Sequence, residues 1–279
     1  MNTLLSPLAA LGSGALLGVA DFGGGVAGRR TSVPSVIAGM ELAGLVALPL
    51  AIVLLPLHWD LRDMGLAFSG GVVGGLGLIA FYRAMTISLI AAVAPITGVI
   101  AAALPVALGI LGGDRLHVGQ LVGIAVGLLS IALINGAGRS SAPGARAGLW
   151  LAVLAGAAFG FFFIVVHAGS PAGTAAFLST RLGSEAAVLV AALVIRASPI
   201  PQRGSWLLVA AVGAFDGAGN VLYLYASQQG LLALTSVLAS FYPAFTVLCA
   251  RLIAHEKQSR TQTAGAVLAV AAVALIAGA

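Results

Sequence analysis

Residues 211–230 read AVGAFDGAGNVLYLYASQQG, an apolar stretch that carries the carboxylate of Asp216 near its middle. Asn220, Tyr223 and Ser227 follow at intervals of four, three and four residues. In an α-helix, these intervals place the four side chains on one face. The stretch therefore predicts an apolar helix with a single polar stripe, and the fold depends on what that stripe faces.

The composition of the chain identifies its solvent. Of the 279 residues, 60% are hydrophobic and only 8% are charged, whereas about a quarter of the residues of a soluble domain are charged. With this composition, a soluble fold would not have enough polar side chains to cover its surface. We therefore predict an all-α integral membrane protein that crosses the lipid bilayer many times.

Turn residues and charges divide the sequence into about ten apolar segments of roughly 20 residues, the length that crosses a bilayer as a helix. The predicted helices are 4–27, 33–56, 64–84, 88–111, 117–136, 147–168, 173–196, 205–226, 231–254 and 261–278. Between the fifth and sixth lies GAGRSSAPGARAG, at 136–148. Its content of Gly, Ser and Pro is typical of a linker.

The two halves of the chain match each other at a constant offset of 142 residues. The matched pairs include Gly75 with Gly217, Gly77 with Gly219 and Gln120 with Gln262. We therefore predict a first five-helix repeat at 1–136, a linker at 137–146 and a second five-helix repeat at 147–279. Because five is odd, the second repeat enters the membrane from the opposite side. Such inverted repeats are common in secondary transporters, whose sites lie between the halves.

A motif in the second half carries a family resemblance. Four residues form the pattern P-x12-E-x5-Q-x2-G: Pro243, Glu256, Gln262 and Gly265. The pattern resembles the repeat signature of EamA-type members of the drug/metabolite transporter superfamily. The first half keeps Asp114, Gln120 and Gly123 but has Ala101 in place of the proline. Within that superfamily the chain most resembles the YddG-like aromatic amino-acid exporters, which implies export of amino acids with aromatic or apolar side chains.

The polar stripe of the opening stretch is the first candidate site. A carboxylate that faces lipid at the bilayer centre costs roughly 2.5–3.5 kcal/mol on insertion scales, so the stripe is expected to face the bundle interior. Asp216, Asn220 and Tyr223 would then line a central cavity, where Asp216 binds an ammonium group or exchanges protons. The competing interpretation is a structural hydrogen bond between helices.

Aromatic residues supply further candidates for substrate binding. Phe241 and Tyr242 lie in the middle of predicted helix 9, and Phe163 lies in the cluster FGFFF of helix 6. Tyr82 lies near the end of helix 3, so an interfacial position competes with a binding role for it and for Tyr223. Aromatic rings at mid-membrane would suit an aromatic or apolar solute.

Asp21 precedes three glycines, Gly23 to Gly25, which are expected to break or bend the first helix. A broken helix beside a carboxylate is a candidate cation or ammonium site, although a helix that ends early fits equally well. Arg181 and Glu185 are expected to pair with each other at i, i+4. A pair between Glu41 and Arg181 is the alternative.

Motifs of soluble enzymes and metal sites are missing from the sequence. It has no P-loop, G-x-S-x-G, H-E-x-x-H or C-x-x-C, so we expect no catalytic residue, no metal and no cofactor. The net charge of +5 is spread between apolar segments, which does not favour a nucleic-acid partner. The expected partners are the lipid bilayer and a small-molecule substrate. Proton coupling is an option, as is either a monomer or a homodimer.

Most basic residues fall on one side of the predicted helices. That side carries Arg29, Arg30, Arg83, Arg139, Arg146, Arg196, Arg203, Arg251, Lys257 and Arg260, and the other carries Arg62 and Arg115. In a bacterial inner (plasma) membrane, the positive-inside rule then places both termini outside the cytoplasm. Related exporters are usually described with cytoplasmic termini, so the two arguments conflict.

Three functions remain open from the sequence. The first is a secondary carrier that exports small organic solutes by alternating access. The second is a drug or other-metabolite permease of the same fold. The third, from another class, is an intramembrane lipid-modifying enzyme, but the intramembrane acids lie on different helices without a recognisable catalytic pattern.

Overall fold

The computed structural model describes residues 5–111, 118–136, 145–229, 239, 242–256 and 259–278. Regular secondary structure within these residues is helical, apart from an isolated bridge between Leu57 and Gly173. Six of the described helices are long and apolar enough to cross a membrane, and shorter apolar helices accompany them. The chain is a multi-pass membrane protein, as its composition predicted.

The first half of the chain forms six helices: α1 (Leu5–Gly28), α2 (Val33–Gly44), α3 (Leu48–Leu54), α4 (Leu61–Ile87), α5 (Ile90–Leu111) and α6 (Val118–Gly136). A 3-10 turn, Leu45–Ala47, joins α2 to α3, and together they form one candidate span, Val33–Leu54. Pro49 lies in the first turn of α3. Because proline has no amide hydrogen to donate, the predicted single helix is interrupted there.

The second half forms five described helices: α7 (Ala145–Ala168), α8 (Thr174–Val194), α9 (Trp206–Gln229), α10 (Tyr242–Leu252) and α11 (Arg260–Gly278). Their ends lie within a few residues of the predicted ones, except that most of 231–241, the predicted start of helix 9, falls outside the described residues. Helix α7 begins at Ala145, inside the predicted linker at 137–146.

Helix pairing follows a regular scheme across the two halves. Helix α4 packs along α7 and α8, while α9 packs along α1 and α2. Helices α6 and α11 also pack together, and Ser130 Oγ donates to the carbonyl oxygen of Gly265 across 2.8 Å. This last contact joins the fifth and tenth predicted helices, one from each half of the chain.

Glycines allow two of these helix pairs to approach closely. A Cβ on Gly71 of α4 would overlap with the carbonyl oxygen of Thr180 in α8, and one on Gly217 of α9 would overlap with that of Gly44 in α2. A Cβ on Gly75 would lie 2.9 Å from the carbonyl oxygen of Ser184. Only glycine permits backbones to lie this close, so these positions determine how near α8 and α2 come to their partners.

Two apolar clusters fill opposite ends of the bundle. The larger cluster surrounds the end of α4 and the starts of α2 and α5, and includes Ile37, Met40, Phe81, Met85 and Ile90. The smaller cluster surrounds the end of α3 and the start of α8, and includes Ala51, Leu55, Val166 and Phe177. The polar side chains described below lie between these two clusters.

Candidate substrate cavity

A cavity of about 80 Å³ lies between the halves of the protein and is lined by residues of α1, α2, α4, α7, α8, α9 and α10. Its polar lining consists of Asp21, Glu41, Thr180, Arg181, Ser184, Asp216, Asn220, Tyr223 and Tyr242. Its aromatic lining includes Phe159, Phe162, Phe163 and Phe177. The volume has room for several water molecules, and the polar side chains would satisfy them.

Arg181 joins three helices at one wall of the cavity. Its Nη1 donates to Glu41 Oε2 of α2 across 2.5 Å, and its Nη2 donates to Asp216 Oδ2 of α9 across 2.5 Å. Ser184 Oγ donates to the other oxygen of Glu41 across 2.6 Å. Only 5% of Arg181 is exposed. A charge this deeply buried is tolerated because each terminal nitrogen has a carboxylate partner.

The local sequence makes room for the guanidinium. A Cβ on Gly44 would lie 3.0 Å from Arg181 Nη1, so the glycine leaves the space that the charged group occupies. On the other side, the Arg181 Cζ lies 5.3 Å from the centroid of the Phe177 ring. This ring face attracts the cation and helps to fix its orientation.

The expected pair between Arg181 and Glu185 is wrong. Although the two residues are one turn apart on α8, the long arginine side chain reaches across to α2 and α9. Glu185 Oε2 is buried, and no described residue forms a hydrogen bond with it. A neighbouring pair on one helix contributes only a few tenths of a kcal/mol, whereas a buried guanidinium needs two acceptors. The alternative pair, Glu41 with Arg181, is confirmed.

The polar stripe of α9 faces the bundle interior, as its spacing predicted. Asp216, Asn220 and Tyr223 all line the cavity. The Asn220 side chain also donates from Nδ2 to the carbonyl oxygen of Asp216 across 2.9 Å. Tyr223 is 3% exposed, and its ring centroid lies 5.1 Å from that of Phe163. The interfacial interpretation of Tyr223 is therefore wrong.

Three more predicted residues, Tyr242, Phe163 and Asp21, line the same cavity. Tyr82 is fully buried outside the cavity lining, and its hydroxyl donates to Met40 Sδ at 3.5 Å. Its position matches neither a cavity wall nor a membrane interface. Phe241 lies outside the described residues.

The glycines after Asp21 do not break the first helix, because α1 continues to Gly28. They allow close packing instead. A Cβ on Gly24 would overlap with the Tyr82 ring, and one on Gly25 would lie 2.7 Å from Met85 Sδ. The backbone hydrogen bonds of a helix in lipid are too valuable to lose for glycine alone. The predicted break is wrong, and Asp21 lies within a continuous helix.

Two groups in the cavity lack partners among the described residues. The Asp21 carboxylate makes no hydrogen bond or ion pair with the described part of the chain. The Tyr242 hydroxyl is buried and has no hydrogen-bond partner within that part. Both groups therefore have hydrogen-bonding capacity that the described residues leave unused.

Sequence reasoning assigned Arg181 to a structural pair and missed its place in the cavity wall, together with Glu41, Thr180 and Ser184. A signal was available. Glu41, Arg181 and Asp216 are all charged residues within apolar spans, and each must find a partner of opposite charge because an unpaired charge in a membrane is costly. One basic and two acidic residues on three different apolar helices would have suggested that Arg181 binds both Glu41 and Asp216.

The glutamate of the repeat motif lies away from the cavity. Glu256 accepts hydrogen bonds from the backbone amides of Ile90 at 3.3 Å and Ala91 at 3.1 Å, so it caps the start of α5. Arg29, at the end of α1, donates to the same carboxylate across 3.2 Å and to the carbonyl oxygen of Met85. This motif residue therefore stabilises a junction of three helices.

Comparison with known protein families finds a similarity in the second half of the chain. Residues 146–278 match the EamA-like transporter family. This EamA-like half supplies Arg181, Asp216 and Tyr242 to the cavity. The match is a likeness of this part of the chain to a family of transporters.

Structural comparison extends the similarity beyond the EamA-like half. A solved crystal structure superposes with a TM-score of 0.69 over 97% of this chain and 97% of that chain, at 16% sequence identity. At that identity the match shows the fold alone. None of the curated proteins matches the sequence significantly.

Proposed function

We propose that the protein is a secondary carrier that exports small organic solutes, in the first place amino acids with aromatic or apolar side chains. The cavity carries this proposal, because it combines buried carboxylates with aromatic rings between the two halves of the chain. A solute with an ammonium group and a ring would meet both. The resemblance to YddG-like exporters points to the same class of solute.

Alternating access requires two bodies that move about a shared site, and we assign these to the inverted repeats 1–136 and 147–279. Helix pairing supports the repeats. At an offset of 142 residues, α4 corresponds to α9, α7 to α1 and α8 to α2. The packing of α4 on α7 and α8 is therefore equivalent to the packing of α9 on α1 and α2, and both are observed.

The close glycine contacts support the same correspondence. Gly71 and Gly213 are 142 residues apart, and a Cβ on either would overlap with a backbone carbonyl oxygen of the paired helix, that of Thr180 for Gly71 and that of Met40 for Gly213. A contact that recurs at equivalent positions is what two copies of one unit would produce. A cavity at the interface of such copies is the usual site in carriers of this plan.

The membrane and its orientation are part of the proposal. Arg29 at the end of α1 contacts Met85 near the end of α4, so these two helix ends share one side of the bundle. Most other basic residues occupy the ends expected on that side. We place it in the cytoplasm of a bacterial inner membrane, with both termini outside. A reporter that is active only in the cytoplasm, fused after Ala279, should remain inactive.

A drug or other-metabolite permease is the second candidate. The family match supports this broader class without naming a solute, and the mostly apolar lining would also accept an uncharged aromatic compound. The two candidates differ in the role of the carboxylates. They are needed for an ammonium-bearing solute and are dispensable for a neutral one.

The test is transport by purified protein in liposomes, with a panel of amino acids offered with and without a pH gradient. We expect aromatic amino acids to cross at rates well above those of empty liposomes. Asp216→Asn should lower this flux at least tenfold while the protein still folds, because Arg181 keeps Glu41 as its partner. The matched control is Asp63→Asn, which removes a partly exposed acid at the start of α4, outside the cavity. Amino-acid flux that is unchanged in Asp216→Asn would contradict the proposed site.

A further inference from the structure

The cavity lining contains more acidic than basic side chains. Among the described residues that line it, the acidic groups are those of Asp21, Glu41 and Asp216, and the only cationic group is the guanidinium of Arg181. When all three acids are ionised, the Arg181 charge offsets one of them. The remaining imbalance favours a solute that brings positive charge.

Arg181 is not available to a solute. Each of its terminal nitrogens donates to a carboxylate at 2.5 Å, and the guanidinium lies over the Phe177 ring. Binding a solute carboxylate would require Arg181 to release Glu41 or Asp216, which costs the interaction of a buried ion pair. An amino acid would therefore place its own carboxylate in a cavity that offers it no free cation.

An ammonium group would find two unused partners. Asp21 has no hydrogen bond or ion pair within the described part of the chain, and the hydroxyl of Tyr242, which is 4% exposed, has no partner either. Both side chains line the cavity, and the helices that carry them contact each other nearby, where Thr246 Oγ1 donates to the carbonyl oxygen of Gly18 across 3.1 Å. A protonated amine carries several N–H donors, and both the carboxylate and the hydroxyl oxygen can accept hydrogen bonds from them.

Aromatic rings complete the environment of a cation with an apolar body. Phe162 and Phe163 of α7 lie with ring centroids 5.3 Å apart, and Phe163 also contacts the ring of Tyr223. All three rings belong to the cavity lining. Aromatic faces attract organic cations and pack well against apolar groups.

We propose that this cavity selects organic monocations, namely aromatic or apolar amines without a carboxylate, over zwitterionic amino acids, with Asp21 and Tyr242 holding the ammonium group. This inference rests on the proposed function as a carrier of small organic solutes, and it makes amines, ahead of amino acids, the preferred solutes. The excess negative charge disfavours a carboxylate on the solute, while the unpaired Asp21 favours its ammonium.

The experiment compares three solutes that share a phenyl ring and a short carbon chain: phenethylamine, phenylalanine and 3-phenylpropanoate. Binding to the purified protein is measured by calorimetric titration, and flux is measured separately in liposomes. We expect phenethylamine to bind at least tenfold more tightly than phenylalanine, and 3-phenylpropanoate to bind most weakly. Phenylalanine binding as tightly as phenethylamine would overturn the inference, even if both are transported.

Two variants locate the effect. Asp21→Asn should reduce the preference for phenethylamine over phenylalanine to about threefold or less, while Asp63→Asn leaves it unchanged. Tyr242→Phe should weaken phenethylamine binding several-fold and leave that of 3-phenylpropanoate unchanged. A preference that survives both substitutions in folded protein would overturn the assignment to Asp21 and Tyr242. If Asp21→Asn does not fold, the inference is tested by the order of the three affinities in the wild-type protein and by the effect of Tyr242→Phe.

The outcomes separate this inference from the proposed function. Flux of phenylalanine without any preference for phenethylamine overturns the inference and leaves the carrier intact. Absence of flux for every solute tested, with binding preserved, contradicts the carrier instead. If none of the three solutes binds, the inference fails as well.

Discussion

Arg181 donates a hydrogen bond to Asp216 across 2.5 Å and thereby ties α8 to α9 inside the membrane. The second terminal nitrogen of Arg181 binds Glu41, so α2 joins the same network. The carboxylate in the middle of the apolar stretch 211–230 is therefore a partner of a buried cation at the wall of a cavity. Its burial is tolerated because the charges satisfy one another.

Replacing Arg181 by alanine should destabilise the protein severely. The change leaves two carboxylates facing each other without their shared cation, and breaking a buried pair typically costs about 3–5 kcal/mol. We expect a large drop in the apparent melting temperature in detergent. Arg203→Ala, at an exposed arginine before α9, serves as the control and should change the melting temperature little.

A triple variant tests the explanation. Adding Glu41→Gln and Asp216→Asn to Arg181→Met should restore part of the stability, and a triple variant as unstable as Arg181→Ala would contradict this explanation.

Two glycines of α4 should respond in opposite directions to alanine. At Gly71 a Cβ would overlap with the carbonyl oxygen of Thr180, whereas at Gly65 it meets nothing within 4 Å. We expect Gly71→Ala to separate α4 from α8 and to lower the melting temperature. Gly65→Ala should stabilise the helix by about 0.5–1 kcal/mol, because alanine is the better helix former. Equal melting temperatures for the two variants would show that the close approach is not needed.

Glu256 should contribute to stability through the start of α5. Alanine at this position removes the acceptor for the amides of Ile90 and Ala91, and the partner of Arg29. The loss of a helix cap costs about 0.5–2 kcal/mol. Glu256→Gln keeps one acceptor oxygen but loses the charge, so its melting temperature should lie between those of the wild type and Glu256→Ala. A Gln variant as unstable as the Ala variant would show that a single uncharged acceptor contributes nothing to the cap.

Tyr242→Phe should leave stability unchanged or raise it. The hydroxyl is buried without a partner in the described ranges of the chain, and a buried polar group that forms no hydrogen bond is unfavourable in the folded state. The measurement is the melting temperature of the solute-free protein in detergent. Tyr82→Phe is a useful comparison, because that hydroxyl does have a contact, with Met40 Sδ. A marked loss of stability in Tyr242→Phe would mean that its hydroxyl has a partner.

Helix positions were largely predictable, and the exceptions have local causes. A run of apolar residues long enough to cross a bilayer must be helical there, because lipid offers no partner for backbone amides. Three glycines after Asp21 suggested a break that does not occur, since the helix keeps its hydrogen bonds and the glycines receive neighbouring side chains. Pro49 does interrupt a predicted helix, because proline cannot donate the missing bond.

The sequence by itself determined the solvent of the chain, the approximate course of its helices and the inward direction of the stripe through Asp216, Asn220 and Tyr223. These follow from composition and from the helical period, which are local properties. Only the tertiary structure decided that Arg181 binds Glu41 and Asp216 rather than Glu185, and that Asp21 has no partner among the residues that the structure describes. Those outcomes depend on how closely α2, α8 and α9 approach one another, and the approach is determined by glycines such as Gly44 and Gly217. An ion pair between distant parts of the chain forms only where packing brings both charges within reach, because at longer range neither can offset the cost of burying the other.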